Sequence, residues 1–203
     1  HHSGATIPVG LAYSLAVKAY ALGDRGDFDA AWPCFDTALR AVGNAQHEVG
    51  ASIRGWYAAT LLWQGRWADA RAIADEGSRL GEQVRSLFTM SMCRAVGAYA
   101  GWQLAPNEQS LREMFDALAW LTPRGCALFT SLNHGWLADA LAASGRAVEA
   151  RRHAAQALRR GRQRDLIGVA MACRAMARLT AASGSAPRAR RWIERALAAA
   201  AQR

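Results

Sequence analysis

Small apolar residues recur along this chain at a fixed interval. Glycines stand at positions 26, 65, 145 and 184, separated by 39, 80 and 39 residues. The long gap hides one marker near residue 105, where Leu104-Ala105-Pro106 breaks the pattern with a proline. Five residues after each marker stand Ala31, Ala70, Ser110, Ala150 and Ala189. Seven before it stand Ala19, Ala58, Ala98, Ala138 and Ala177, and twelve after it Ala38, Gly77, Ala117, Ala157 and Ala196. All of these positions are small. Two antiparallel helices joined by a tight turn approach closely only where side chains are small, and the glycine permits the backbone turn that ends the first helix. Leu39, Leu118, Leu158 and Leu197 each follow the last small position and are expected to fill the core between repeats.

The pattern predicts five helical hairpins, over residues 9–42, 48–81, 84–121, 125–161 and 164–202. The expected connections are Gly43-Asn44-Ala45-Gln46, Gly81-Glu82, Thr122-Pro123-Arg124-Gly125 and Gly161-Arg162. Composition agrees. Alanine, the best helix former, dominates, and β-branched residues are scarce. With 52% hydrophobic residues the chain is globular rather than disordered. It lacks a run of about 18 apolar residues, so no membrane partner is expected. His1-His2-Ser3-Gly4 reads as the remnant of a purification tag, leaving 5–203 as a single helical repeat domain, and no signal peptide is visible.

The spacing resembles the tetratricopeptide repeat, most clearly at Gly26-Asp27-Phe28-Asp29-Ala30-Ala31, Gly65-Arg66-Trp67-Ala68-Asp69-Ala70 and Gly145-Arg146-Ala147-Val148-Glu149-Ala150. The resemblance implies an all-α, right-handed superhelical solenoid. It departs from the family in a period of 39–40 rather than 34 residues and in lacking the terminal proline. Three further phrases are similar to a narrower group: Leu62–Arg71, Ser131–Leu137 and Ala170–Arg178. These resemble the C-terminal helical repeats of large bacterial signalling ATPases, in which a nucleotide-binding domain precedes the repeats and a nucleotide cyclase or LuxR-type DNA-binding domain is attached elsewhere. That resemblance implies a cytoplasmic sensing or interaction domain that contacts an adjacent ATPase or effector domain.

No phosphate loop, dinucleotide fingerprint, nucleophile elbow or zinc-protease motif is present, so neither catalysis nor a cofactor is expected. Cys34, Cys93, Cys126 and Cys173 form no CxxC and are read as small packed thiols. His134 could pair with Cys93 or Cys173 on a neighbouring hairpin; the alternative is a packed, hydrogen-bonded histidine, and no metal is expected.

In tetratricopeptide arrays the first helix of each hairpin lines a concave face. Carried over by frame, that face holds Tyr13, Tyr20, Ser52, Gly55 and Trp63, then Met92, Tyr99, Trp102 and Gln103, then Gly135 and Asp139, and finally Met171, Arg174 and Arg178. The binding residues proposed on this basis are Tyr13, Tyr20, Trp63, Met92, Tyr99, Trp102, Gln103, Asp139, Arg174 and Arg178. Such a face, aromatic at one end and charged at the other, suits an amphipathic ligand with an anionic group or an acidic peptide. The alternative is that the aromatics are core. Trp32, Trp67 and Trp192 are expected to pack between hairpins, and Trp56 and Trp136, at equivalent positions, to be structural.

The net charge of +9 is concentrated near the C-terminal end, where residues 145–203 hold fourteen arginines against Glu149, Asp165 and Glu194. Arg188, Arg191 and Arg195 share one helical face, as do Arg152 and Arg159. A phosphate-binding surface is one reading and a solvated face the other; aromatics not being interleaved and no helix-turn-helix being assignable, nucleic acid is the lesser expectation. Three functions therefore stand open: an interaction and sensing domain of a signalling ATPase, a free-standing adaptor for an acidic protein segment, and an arginine-mediated nucleic-acid module.

Overall fold

The computed structural model describes residues 8–124, 129–161, 166 and 168–202. Ten α-helices follow one another: α1 (Val9–Asp24), α2 (Phe28–Val42), α3 (Glu48–Trp63), α4 (Trp67–Gln83), α5 (Leu87–Leu104), α6 (Glu108–Leu121), α7 (Thr130–Ala143), α8 (Ala147–Gly161), α9 (Val169–Ala182) and α10 (Ala186–Ala201). A short 3-10 turn, Thr122–Arg124, follows α6. Among the described residues there is no strand, and no helix is long and apolar enough to cross a membrane.

The marker glycines end the first helices for one physical reason. Gly26, Gly65, Gly145 and Gly184 all lie near φ +80°. This left-handed step lets the next residue's N–H reach back to a carbonyl five residues earlier: Asp27 to Leu22, Arg66 to Leu61, Arg146 to Leu141 and Ser185 to Thr180, at 2.9–3.0 Å. Side-chain caps then open several helices, as when Asp27 accepts from the Ala30 N–H and Asn107 from the Ser110 N–H. The connection expected at Gly81-Glu82 falls later. Gly81 is inside α4, where a Cβ would lie 3.0–3.2 Å from the Met90 backbone and Cβ. The turn is made by Arg85 at φ 57°, with the Ser86 N–H bonded to the Gly81 carbonyl. An arginine thus takes the left-handed place that glycine fills elsewhere. Gly125, Cys126 and Arg162 lie outside the described residues.

The chain packs as two units that divide between Leu104 and Ala105. In the first, α1, α3 and α5 lie side by side, α2 covers α1 and α3, and α4 covers α3 and α5. In the second, α7 and α9 lie side by side, α6 packs on α7, α8 on both α7 and α9, and α10 on α9. The small columns occupy the contacts they were assigned. Fourteen of the fifteen positions are buried, and Ala196 is half-buried. Glycines bring the first helices closest: a Cβ on Gly23 would meet Thr60, and one on Gly168 would fall 2.0 Å from the Ser131 carbonyl oxygen. Of the four leucines expected between repeats, Leu118 is buried and Leu39 and Leu158 partly so, but Leu197 is 66% exposed. Nothing described follows α10 to cover it.

Candidate functional site

The first helices carry the predicted binding residues, but they do not form one open face. Met92, Tyr99 and Trp102 on α5 are buried at 2, 2 and 6% exposure. This corrects the expectation that they line a groove. From Ser91 to Ala100, α5 is buried at every position except Arg94, because it is apolar around nearly its whole circumference and packs on α3 and α4. Gln103, near the end of the same helix, is half-buried.

In the first unit, Tyr13, Tyr20 and Trp63 form a ladder around Trp56. Tyr13 meets Trp56 edge-on at 5.0 Å between ring centroids, and Tyr20 lies 6.3 Å from Trp56 and 4.9 Å from Trp63. The ladder joins α1 to α3, so most of its area is spent on packing. Tyr13 remains 45% exposed. Trp32 meets Tyr57 of α3 at 5.5 Å, between hairpins as expected, whereas Trp192 of α10 packs against Val169 and Cys173 of α9, within its own hairpin. Trp192 also carries the Arg195 guanidinium over its ring at 5.2 Å, so an aromatic does stand among the α10 arginines.

In the second unit, Asp139, Arg174 and Arg178 meet. Asp139 on α7 is 1% exposed. Arg174 on α9 grips it with both ends of its guanidinium fork, Nε to Oδ1 at 2.9 Å and Nη2 to Oδ2 at 2.5 Å. Arg178, one turn on, brings its Nε to 3.7 Å from Oδ1. The two arginine side chains keep 42 and 49% of their surface in water. Gly135 makes the arrangement possible. A Cβ there would stand 2.8 Å from the Gly168 oxygen and 2.9 Å from the Met171 Cβ, so only glycine lets α9 approach α7 closely enough one turn before Asp139. Asp139 is therefore buried beneath two guanidiniums rather than open on a face.

His134 pairs with neither cysteine. Its Nδ1 lies 2.9 Å from Nδ1 of His153 on α8, and Phe115 of α6 meets the His153 ring edge-on at 5.5 Å. The ring centroids are 5.2 Å apart, greater than the nitrogen separation by about one ring's width, so the bond runs along both rings. One Nδ1 carries the proton and the other accepts it. Burial, the neighbouring His153 and the arginines Arg160 and Arg159 push the His134 pKa down to about 4. Burial and Arg152 lower that of His153, against Glu149. Burial raises the Cys93 thiol to about 12, and Cys173 is raised for the same reason, which keeps both protonated and unreactive. Among the described residues no group of three or more His, Cys, Asp or Glu could hold a metal ion.

No protein-family model matches the sequence, and no curated protein matches it. Among solved structures, it is similar to a crystal structure of nearly identical TPR-like repeats of a kinesin light chain type from Podosopora anserina. The two share 14% identity over 93% of this chain and 94% of that one, with a TM-score of 0.58. That likeness and the ten helices establish the fold: an all-α helical solenoid of TPR-like repeats.

Proposed function

We propose that this domain works by binding, and that the exposed edge of Arg174 and Arg178 over the buried Asp139 takes an acidic segment of a partner protein. The TPR-like fold supports a protein-interaction role in general. One observation carries the finer reading: while Arg174 grips the buried Asp139, Arg178 beside it is half-exposed and only loosely attached to that carboxylate. Arg178 is only loosely attached, at 3.7 Å, and can fork onto an incoming carboxylate. The similarity of Leu62–Arg71, Ser131–Leu137 and Ala170–Arg178 to the repeats of bacterial signalling ATPases supports a place in such a cytoplasmic regulator, next to its ATPase or effector domain. A free-standing adaptor would use the same edge.

The test is fluorescence anisotropy with a labelled peptide rich in glutamate and carrying one aromatic residue. Arg178→Ala should weaken binding about tenfold, the equivalent of about 1.4 kcal/mol. Arg178→Lys should recover only part of it, since lysine has no fork. Peptide binding unaffected by Arg178→Ala would refute the assignment. Duplex DNA that binds more tightly than the peptide, with a steep salt dependence, would favour the nucleic-acid reading instead.

A further inference from the structure

A polar cleft of about 410 Å³ opens between the α2–α3 connection and the second half of α4, bounded also by Arg54 of α3. All of it lies within the first unit. Its polar lining is Asn44, Gln46, Arg54, Glu76, Arg79 and Gln83, and Leu80 is its one large apolar side chain. The side chain of Arg54 is 24% exposed and is fixed at two points: Nη1 donates to the Gly50 carbonyl at 3.1 Å, and Nε to Glu76 Oε2 at 3.3 Å. A glycine makes room for it, since a Cβ on Gly77 would stand 3.0 Å from the Arg54 Cβ. Arg54 Nη2 keeps its N–H groups without a partner among the described residues, as do the side chains of Asn44, Gln46, Arg79 and Gln83. The repeat does not require this polar set. One hairpin on, the same frame puts Val84, Ala119 and Pro123 where the cleft has Asn44, Arg79 and Gln83.

We propose that this cleft binds a phosphorylated sugar, a ligand of a different class from the acidic segment assigned to Arg178. Two guanidiniums stand against one carboxylate in its lining, so it carries an excess positive charge. Guanidinium donors match phosphate oxygens, and one phosphate has oxygens enough for Arg54 Nη2 and Arg79 together. The amides of Asn44, Gln46 and Gln83 each donate and accept, as a sugar hydroxyl does, and the second oxygen of Glu76 accepts from a further hydroxyl. Leu80 alone offers much apolar area, too little to hold an aromatic body. The volume lies toward the small end of ligand pockets, about 300–1,000 Å³, which suits a single sugar ring with its phosphate.

Isothermal titration calorimetry of the whole chain tests this with glucose 6-phosphate and ribose 5-phosphate, and with inorganic phosphate and glucose as the two halves of such a ligand. At least one of the two esters should bind one to one with a Kd of about 1 mM or below, and each half at least about tenfold more weakly. Arg79→Ala changes an exposed side chain, so circular dichroism should stay unchanged while ester binding weakens about tenfold. Arg178→Ala should bind the ester as the wild type does, which keeps this site separate from the one that takes the acidic segment. Failure of both esters to bind overturns the inference. So does inorganic phosphate that binds as tightly as the esters, which would leave the hydroxyls no role, or ester binding that Arg79→Ala does not weaken, which would put the ligand elsewhere.

Discussion

Acid should destabilise the second unit through the histidine pair. Above neutrality both imidazoles are neutral, and one Nδ1–H donates to the other ring. Adding a proton puts a donor on each nitrogen, 2.9 Å apart, so the bond is replaced by repulsion. The folded-state pKa of His134 is about 4, against 6.5 in its absence. Because the folded pKa of this base is depressed, the unfolded chain binds the proton first as pH falls. The stabilisation is therefore fully present above pH 6.5, is lost as pH falls through the window down to about 4, and is gone below it. At about 1.4 kcal/mol per pH unit the shift corresponds to about 3 kcal/mol at most, and the imidazole's partial contact with water reduces this to about 1–2 kcal/mol. His153, lowered in the same direction, adds to it. Thermal melts at pH 7.5 and pH 5 read the effect, at about 2–4 °C per kcal/mol for a chain of this length. His134→Gln removes the titrating group, so its melting temperature should fall less between the two pH values than that of the wild type. Identical pH dependence in the two proteins would refute the reasoning, since titrating carboxylates act on both equally.

Two further perturbations separate packing from charge. Ala70→Leu and Ala150→Leu, both at fully buried positions, should overpack their hairpins and cost about 1–3 kcal/mol in urea denaturation, whereas Ala155→Leu at an exposed site of α8 should be near neutral. Arg174→Ala should cost about 2–4 kcal/mol, because it strands the buried Asp139, whereas Arg178→Ala should change the urea midpoint little; equal losses in the two variants would mean that both arginines hold the carboxylate alike.

The repeat frame was legible because it reports a backbone constraint. Where two helix axes must approach, any large side chain is excluded, so Ala19, Ala58, Ala98, Ala138 and Ala177 recur whatever else the sequence does. The α4–α5 turn escaped detection because the constraint there is on φ alone, and Arg85 tolerates a left-handed step at modest cost that leaves no mark in its identity. The direction in which side chains point was the harder matter. A frame says that Tyr20, Tyr99, Asp139 and Arg178 are equivalent, each six residues before its marker, but equivalence in a stack does not mean equal exposure. Tyr99 is enclosed, and Arg178, in the last hairpin, is exposed because no described helix follows.

The carboxylate illustrates the same point in electrostatic terms. Read along the sequence, Asp139 and the two arginines form the charged end of one open face, suited to an anionic group or an acidic peptide. In the fold, Asp139 is out of water and its oxygens are engaged by Arg174. A buried carboxylate gripped in this way has no reason to exchange its guanidinium for a ligand's cation, because the exchange would cost the desolvation of a second charge without a better geometry. Whatever approaches this edge meets arginine donors backed by a low-dielectric interior. On the reading proposed above, the half-exposed Arg178 is what an anionic group of the partner would meet.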